Sequence, residues 1–597
     1  MLDYAKSLRF LLSSSMYFKL PLLSRVRIKG PLVNLLLRKL LATQLPDGSF
    51  PAGWIRGNPA SIEATVRALE VLRIYGFTEA FEKALRYIVN KRNRSGFWSE
   101  SLLVYRYYKK IGVIIPSLGL ISWNLVVSLK TASVLLKLGF PRDYFEGLVE
   151  SIKEAQSRLG FWTLDGKPNL NLTVNITFYG LDVLPQRVKE RAIKRIYVTS
   201  RSSISPLMSK DLFTEFMRGL LLWFLDKSRA QSIIENIVAL QRPDGGFPSK
   251  LNVRKSNFEF TLFLLLNWLK LKKGLEPKLK NILQAETERI WRIKQKLSEI
   301  KFDAIEEFRE ALREEGVFHP DRPLESLFCL FLRLYLRQIS WIEEAYDSDK
   351  CLEGIIGYLG HPAVMGLTRY TDVERIQETL KALRLHAPLG KYRTKLIAQT
   401  ISVFATFLAQ QPSCKNIDLN DISQKFVEFT LSKAPKLIRN WDKEALKRMG
   451  MLLREYYSFK DSGEGDWIAL LHEALQCYPF IGSTMSNDLI NQALLLLDFE
   501  ELLDISKRSL NPSFFLDAGL IRTLVLLGLL PPTPLKRISS SKDLWKRARL
   551  ILEEYFSDDI LSVYSIKLVQ RRWCRGLQRC TWRRSKCPLY ALCPNRT

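Results

Sequence analysis

The sequence predicts an all-α protein, and three features carry that prediction. Apolar runs recur with helical rather than alternating spacing. Four times between residues 31 and 275 such a run ends in a turn that pairs glycine with an aromatic residue. From residue 272 onward a charged stretch with helical spacing leads into a second helical half. The chain has 597 residues, 47% of them hydrophobic and 25% charged. Those values exclude a disordered or collagen-like chain, and the length suggests roughly two to four domains.

The four turns are Leu40–Phe50 (LLATQLPDGSF), Val89–Trp98 (VNKRNRSGFW), Ile152–Trp162 (IKEAQSRLGFW) and Ile237–Phe247 (IVALQRPDGGF). A second apolar helix is expected after each, over 61–76, 124–139, 171–184 and 258–271. Helix, turn and helix, repeated, is the pattern of stacked helical hairpins. Proline presets φ in the Pro-Asp-Gly steps, and glycine takes positive φ. The uncharged run Ile111–Leu129 is broken by Pro116, Ser117, Gly119, Ser122 and Asn124, so it reads as a loop and a buried helix rather than a membrane span.

Charge is distributed unevenly. The net charge is +29, and residues 1–280 hold 44 bases against 21 acids. Residues 281–564 hold 37 bases and 40 acids, and residues 565–597 hold 9 bases and no acid. Such an excess predicts a polyanionic partner, nucleic acid before an acidic membrane surface. The N-terminus lacks a small-residue cleavage site, so no signal peptide is expected and the protein is placed in the cytoplasm, associated with the nucleoid.

Gln44 with Asp47-Gly48-Ser49-Phe50, and Gln241 with Asp244-Gly245-Gly246-Phe247, resemble the repeats of the α/α toroid of terpene cyclases and protein prenyltransferases. The likeness covers about 20–275. The prenyltransferases hold zinc through Asp, Cys and His, yet no Cys or His precedes His319. The cyclases' Asp-x-Asp-Asp acid is also missing. The resemblance therefore implies a non-catalytic, basic toroid over 1–275, with DNA as its expected contact. Residues 276–318 form a charged helical linker, and His319-Pro320 opens a second unit, 319–597.

Four cysteines close the chain: Cys574, Cys580, Cys587 and Cys593. Thiolates at this density suit a metal, and in a protein that is not secreted they favour metal over disulfides. Zinc clips commonly use two Cys-x-x-Cys knuckles, and none occurs. Wide loops with Cys-Pro steps suit a 4Fe–4S cluster better, with zinc or no metal as the alternatives.

The block SVYSIKLVQRRWCRGLQRCTWRRSKCPLYALCP resembles the end of endonuclease III-type DNA glycosylases, the helix-hairpin-helix superfamily with a terminal iron–sulfur loop. Upstream, Phe514–Pro532 is similar to the segment that carries the family's catalytic aspartate, and Asp517 takes that place with Arg522 five residues on. Leu475–Leu497 resembles the hairpin, Asp372–Phe404 an earlier hairpin region, and Glu325–Trp341 the first core helix, with Gln338 near the strand-probing glutamine. The likeness spans about 320–597. It implies DNA contacts from Gln338, Pro479, Ile481, Gly482, Thr484 and Arg522, catalysis by Asp517, and cluster ligation by the four cysteines.

Departures from the family shape the expectation. Phe480 replaces the hairpin's first glycine, and Gly519 replaces the histidine after the aspartate. Thr484 stands where bifunctional members carry the Schiff-base lysine. Residues 498–513 form an insertion, and the cysteine spacing keeps only the last loop. A free hairpin N-terminus can grip a DNA phosphate, and a carboxylate can stabilise the cationic sugar formed as the base departs. The sequence thus predicts a monofunctional DNA N-glycosylase acting on double-stranded DNA. A non-catalytic DNA-binding or damage-sensing protein of the same fold is the alternative, and an isoprenoid-binding toroid a second. Asp517 precedes a helix over 518–530 and could act as its N-cap. Tyr478 and Phe480 are expected in the core more than against a base.

Overall fold

A computed structural model describes residues 2–597 except 112, 114–118, 165–166, 202–206, 208, 224, 252, 254, 272–273, 344–347, 384–385, 413–417, 438–442, 463–466, 508–509, 534–537, 539, 575–586 and 595–597. Helices make up 72% of the chain. Among the described residues the strands are two short antiparallel pairs, Phe50–Pro51 with Ala60–Ser61 and Trp162–Leu164 with Lys167–Asn169. The fold is all-α. It divides into two compact units, and neither is continuous in sequence. The first comprises Met1–Ile293, Leu524–Tyr555 and Ala591–Arg596; the second is built from Lys294–Thr523 and Phe556–Tyr590.

In the first unit the four turns share one geometry. Leu45, Asn93, Ser157 and Arg242 each donate their N–H to the carbonyl four residues on, at 2.8–3.0 Å. Gly48, Gly96, Gly160 and Gly245 each donate back across the turn, and all four sit at φ of 86° or 87°. A side chain there would be strained, since left-handed backbone disfavours Cβ. Space also forbids it: a Cβ on Gly48, Gly160 or Gly245 would lie 2.3, 2.7 or 2.2 Å from the carbonyl oxygens of Lys83, Arg191 and Lys6.

The aromatic residue after each turn is tied to the following helix. The N–H groups of Phe50, Trp98, Trp162 and Phe247 donate to the hydroxyls of Thr65, Ser128, Thr173 and Thr261 at 2.9–3.0 Å. Those hydroxyls lie on the helices Ile62–Tyr75, Leu120–Lys137, Leu170–Tyr179 and Phe258–Leu271, near the spans the sequence predicts. Each hydroxyl also donates one turn back along its own helix, as at Thr65 to the Ser61 carbonyl, so each of these four hydroxyls is satisfied both as donor and as acceptor.

Gln44 and Gln156 bridge their own turn to the next hairpin: Gln44 Nε2 donates to the carbonyls of Gly48 and Ala80 at 3.0 and 2.9 Å, and Gln156 Nε2 to those of Gly160 and Val188 at 3.4 and 3.2 Å. In the second turn Arg92 occupies this place and lies over the Tyr144 ring, 4.2 Å from its centre. Gln241 of the fourth turn bridges to Asp3, the N-cap of the first helix, Tyr4–Leu12. The fourth turn is thus tied to the N-terminal helix.

The segment 524–555 completes this unit through a buried ion pair. Lys19, with no exposed side-chain surface, meets Glu554 at 2.6 Å and the Tyr555 hydroxyl at 2.9 Å. The helix Leu120–Lys137 is long and apolar enough to cross a membrane, but 61% of it is buried inside this unit, as expected for a core helix.

The charged stretch after residue 272 forms two helices, Leu275–Glu299 and Lys301–Glu314. The second unit is organised on the helix Pro323–Glu343. A file of aromatic rings runs through its core: Tyr335 stacks on Phe331, Phe331 on Phe404 at 3.8 Å, then Phe426 and Tyr478 follow at 5.1 and 5.7 Å. The Tyr478 hydroxyl is satisfied by Thr430 at 2.9 Å, so Tyr478 is a core aromatic. The insertion 498–513 holds a helix, Phe499–Lys507. Arg309 pins the chain just ahead of it by donating to the carbonyls of Leu495 and Leu497.

Candidate active site

The second unit contains a cleft of about 500 Å³. Gln338, Thr484, Asp488, Asp517, Lys567 and Arg571 line it. Three of these, Gln338, Thr484 and Asp517, are the residues singled out in the sequence from three separate segments. Arg333 and Arg337 add cationic side chains from the same helix as Gln338, and Tyr564 and Phe308 add aromatic walls.

Each functional side chain is placed by its element. Asp517 follows a short turn, Pro512–Phe515, and precedes the helix Ala518–Leu526, which is shorter than the predicted 518–530. Its two carboxylate oxygens have separate tasks. Oδ1 accepts from the Leu520 N–H at 2.7 Å, capping the helix, while Oδ2 pairs with Lys567 Nζ at 3.1 Å. The cap and the charged site coexist in one residue.

Lys567 comes from the helix Ser562–Arg572, where its neighbours Ile566 and Leu568 are buried, and only 14% of its own side chain is exposed. Burial pushes the Asp488 carboxyl above its ordinary value; the charge of Lys567 opposes the shift, and Asp517 adds to it. The cleft thus holds two carboxylates, of which Asp517 pairs directly with Lys567. Lys567 and Asp488 were not singled out in the sequence. The readable signal was a lone charge within an apolar run, in SVYSIKLV and in NDLINQALLL.

The hairpin joins the helices Trp467–Leu475 and Ser483–Ala493, with Gly482 as N-cap of the second. Phe480, in the glycine's place, has φ of 63°, the left-handed conformation that glycine would adopt freely. Backbone strain of this kind persists where surrounding structure dictates it. Pro479 is half-buried and its carbonyl accepts from the Tyr335 hydroxyl at 3.2 Å, while Ile481 is buried. Thr484 is exposed at the first turn of its helix.

Arg522 does not line the cleft; its Nε is buried without a hydrogen-bond partner. Gly519 leaves room for Gln570: a Cβ there would lie 2.1 Å from Gln570 Nε2. A histidine after the aspartate has no space beside that glutamine.

Of the terminal cysteines, Cys580 and the loop 575–586 lie outside the described residues. Cys574, Cys587 and Cys593 are half-buried, unlike Cys329 and Cys477, whose burial pushes their thiols up to about 12. The three terminal cysteines are therefore partly accessible, whereas burial disfavours the thiolate form of the core cysteines Cys329 and Cys477. Among the described residues no three His, Cys, Asp or Glu side chains form a metal-binding group.

No family model matches the chain, and no curated protein matches it. Among solved structures, the crystal structure of a protein from Actinoplanes is similar over 44% of this chain and 98% of its own length, at 14% identity and a TM-score of 0.31.

Proposed function

We propose that the protein is a DNA N-glycosylase in which Asp517 stabilises the cationic sugar as the base leaves. The observation that carries this reading is the meeting of Gln338, Thr484 and Asp517 in one cleft. Excising a base requires the nucleotide to leave the stack and enter a pocket. A cleft of about 500 Å³ has room for one nucleotide, and aromatic walls at Tyr564 and Phe308 suit a base. Arg337 and Arg571 supply positive charge for the flanking phosphates, while Arg333 is paired with Glu315 at the same cleft. The Ser483–Ala493 helix start offers N–H groups to a phosphate without reading sequence. In the cleft Asp517 Oδ2 faces charge and Oδ1 is held by the backbone, so the carboxylate is oriented before substrate arrives.

The first unit reads as a closed α/α toroid, supported by the bridge from Gln241 to Asp3 and by the shared turn geometry. Its positive charge suits a role in holding double-stranded DNA. The terminal loop is read as a 4Fe–4S site held by Cys574, Cys580, Cys587 and Cys593, and a cluster there would anchor the loop and its many arginines. The half-buried state of the three described cysteines supports that reading.

The test is incubation with duplexes carrying uracil, mismatched thymine, oxidised and alkylated bases, with alkali revealing abasic sites. Base release that is lost in Asp517→Asn supports the reading. Salt-sensitive binding to all duplexes with no release from any supports the second reading, a DNA-binding protein without catalysis. The strained backbone at Phe480 favours that second reading, because it departs from a relaxed hairpin.

A further inference from the structure

We propose that the first unit carries a phosphodiester site that holds one backbone phosphate of a DNA duplex. The inference rests on the reading that DNA is the partner, and it locates a contact that overall charge leaves unplaced. The site is a cavity of about 610 Å³ where two segments far apart in sequence meet. One is the fourth turn with the chain that follows it, and the other is the start of the helix Lys542–Ile551. Both segments are basic: residues 242–256 hold four bases and one acid, and residues 536–549 hold six bases and one acid.

Three observations carry the assignment. Arg547 lines the cavity with only 6% of its surface exposed, its guanidinium 4.4 Å from the centre of the Phe258 ring. Its Nε and Nη2 both meet one oxygen of Asp543, at 2.9 and 2.8 Å, while the third nitrogen, Nη1, is buried and donates to nothing among the described residues. A buried donor without an acceptor is costly, and a phosphate oxygen would supply the acceptor in a charge-assisted bond. The helix start is the second observation. Its N-cap Ser541 accepts from the Leu544 N–H at 3.3 Å, which leaves the N–H groups of Lys542 and Asp543 without intrahelical partners. A helix start of this kind attracts phosphate. The third is that Arg242 and Lys255 bring further cations to the same cavity, and Lys255 is exposed with no ion pair among the described residues.

The acids of the cavity are already engaged. Asp543 is taken by Arg547, and Asp244 Oδ1 accepts from the Gly246 N–H at 3.0 Å and from Ser256 Oγ at 2.7 Å. Arg242, Lys255 and Arg547 set against these two acids leave a single positive charge. That excess matches a backbone phosphodiester, which carries one negative charge, rather than a free or terminal phosphate, which carries more. A contact of this kind positions a duplex without reading its sequence.

The experiment measures binding of the full chain to a lesion-free duplex across a range of salt, so it does not depend on base excision. Lys255→Gln removes one charge from the site and should lower the log–log salt slope by about 1, equally for duplexes of unrelated sequence. Arg547→Lys keeps the charge and loses the fork, so it should weaken binding by about tenfold with the slope unchanged. Lys153→Gln, at an exposed lysine elsewhere in the unit, should alter neither quantity. Thermal unfolding of each variant separates loss of fold from loss of contact, and Lys255→Gln decides alone if Arg547→Lys does not fold. Ethylation of duplex phosphates should reveal a position that weakens binding of the wild type and not of Lys255→Gln.

An unchanged slope in Lys255→Gln overturns the proposal. An equal fall in Lys153→Gln also overturns it, because the charge then acts as a diffuse field. Inorganic phosphate that displaces the duplex from the wild type at constant ionic strength, and not from Lys255→Gln, overturns the phosphodiester assignment in favour of free phosphate. A wild type that binds no duplex overturns the DNA reading, and this inference with it. A wild type that releases a base, with Lys255→Gln binding DNA as the wild type does at every salt concentration, overturns this inference alone.

Discussion

Gln241 and Asp3 are joined by two hydrogen bonds that run in opposite directions. Gln241 Oε1 accepts from the Asp3 N–H at 2.8 Å, and its Nε2 donates to the Asp3 carbonyl at 2.9 Å. Two residues 238 positions apart thus pair as a strand residue pairs with its neighbour. The same amide also donates to Ser7 Oγ at 2.8 Å. Removing it leaves several partly buried groups without partners, each costing roughly 1–3 kcal/mol if it stays dry. Gln241→Ala should therefore lower stability by a few kcal/mol. Hydrogen exchange should show the Tyr4–Leu12 helix opening first, and unchanged protection there would refute this anchoring role of Gln241.

Asp517→Asn separates the two tasks of that side chain. Asparagine caps a helix about as well as aspartate, so folding and DNA binding should persist. The charge opposite Lys567 is gone, and loss of one preorganised electrostatic group typically costs about a hundredfold or more in rate. Base release measured on the active lesion duplex checks this; a mutant with wild-type rate reduces Asp517 to a cap.

Phe480 holds the hairpin in a conformation that costs a non-glycine residue about 1–2 kcal/mol. Comparing Phe480→Gly with Phe480→Ala isolates that cost, because both remove the ring. The glycine variant should be the more stable by about 1 kcal/mol in denaturant unfolding. Equal stabilities would mean that the loop relaxes on losing the ring.

Glu100 makes the first unit sensitive to pH. Burial raises its carboxyl from 4.5 to about 7, against hydrogen bonds from the Glu63 N–H and Ser61 Oγ that favour the charged form. Its folded-state pKa is raised, so its stabilising contribution is complete below about pH 4.5 and is lost as pH climbs through 7. The shift corresponds to about 3 kcal/mol between those limits. Glu100→Gln should flatten the stability profile between about pH 4.5 and pH 7 and be the more stable protein at the alkaline end. Thermal unfolding across that range decides it, and parallel profiles for both proteins would exclude Glu100 as the cause.

The terminal cysteines make a chemical prediction. Protein purified without oxygen should be brown and carry iron with acid-labile sulfide, as a thiolate-held cluster does. Cys593→Ser should lose that colour and weaken DNA binding together. A colourless wild type with stoichiometric zinc would replace the cluster with a zinc site.

Much of the fold was legible because its determinants are local. Pro46-Asp47-Gly48 and Pro243-Asp244-Gly245 encode their turns through residues that preset φ, and the apolar spacing on either side encodes the helices. The division of residues 272–316 into helices follows from the same periodicity. Asp517, Gln338 and Thr484 were singled out on the strength of motif order, and the fold brings all three to one cleft.

Other features depend on contacts that sequence spacing does not record. That Gln241 meets Asp3, and that Glu554 meets Lys19, follows from how distant helices pack. The discontinuous units, with 524–555 joining the N-terminal one, arise in the same way. Lys567 belongs with these: in sequence it is one base among nine at a basic end of the chain, and only folding sets it 3.1 Å from Asp517 and away from solvent. Local sequence determined which segments are helices and where they turn, because backbone preference and amphipathic period act within a few residues. Tertiary structure alone decided which charges are desolvated together, because burial and proximity are properties of packed helices, and these set the reactivity of an amine or a carboxylate.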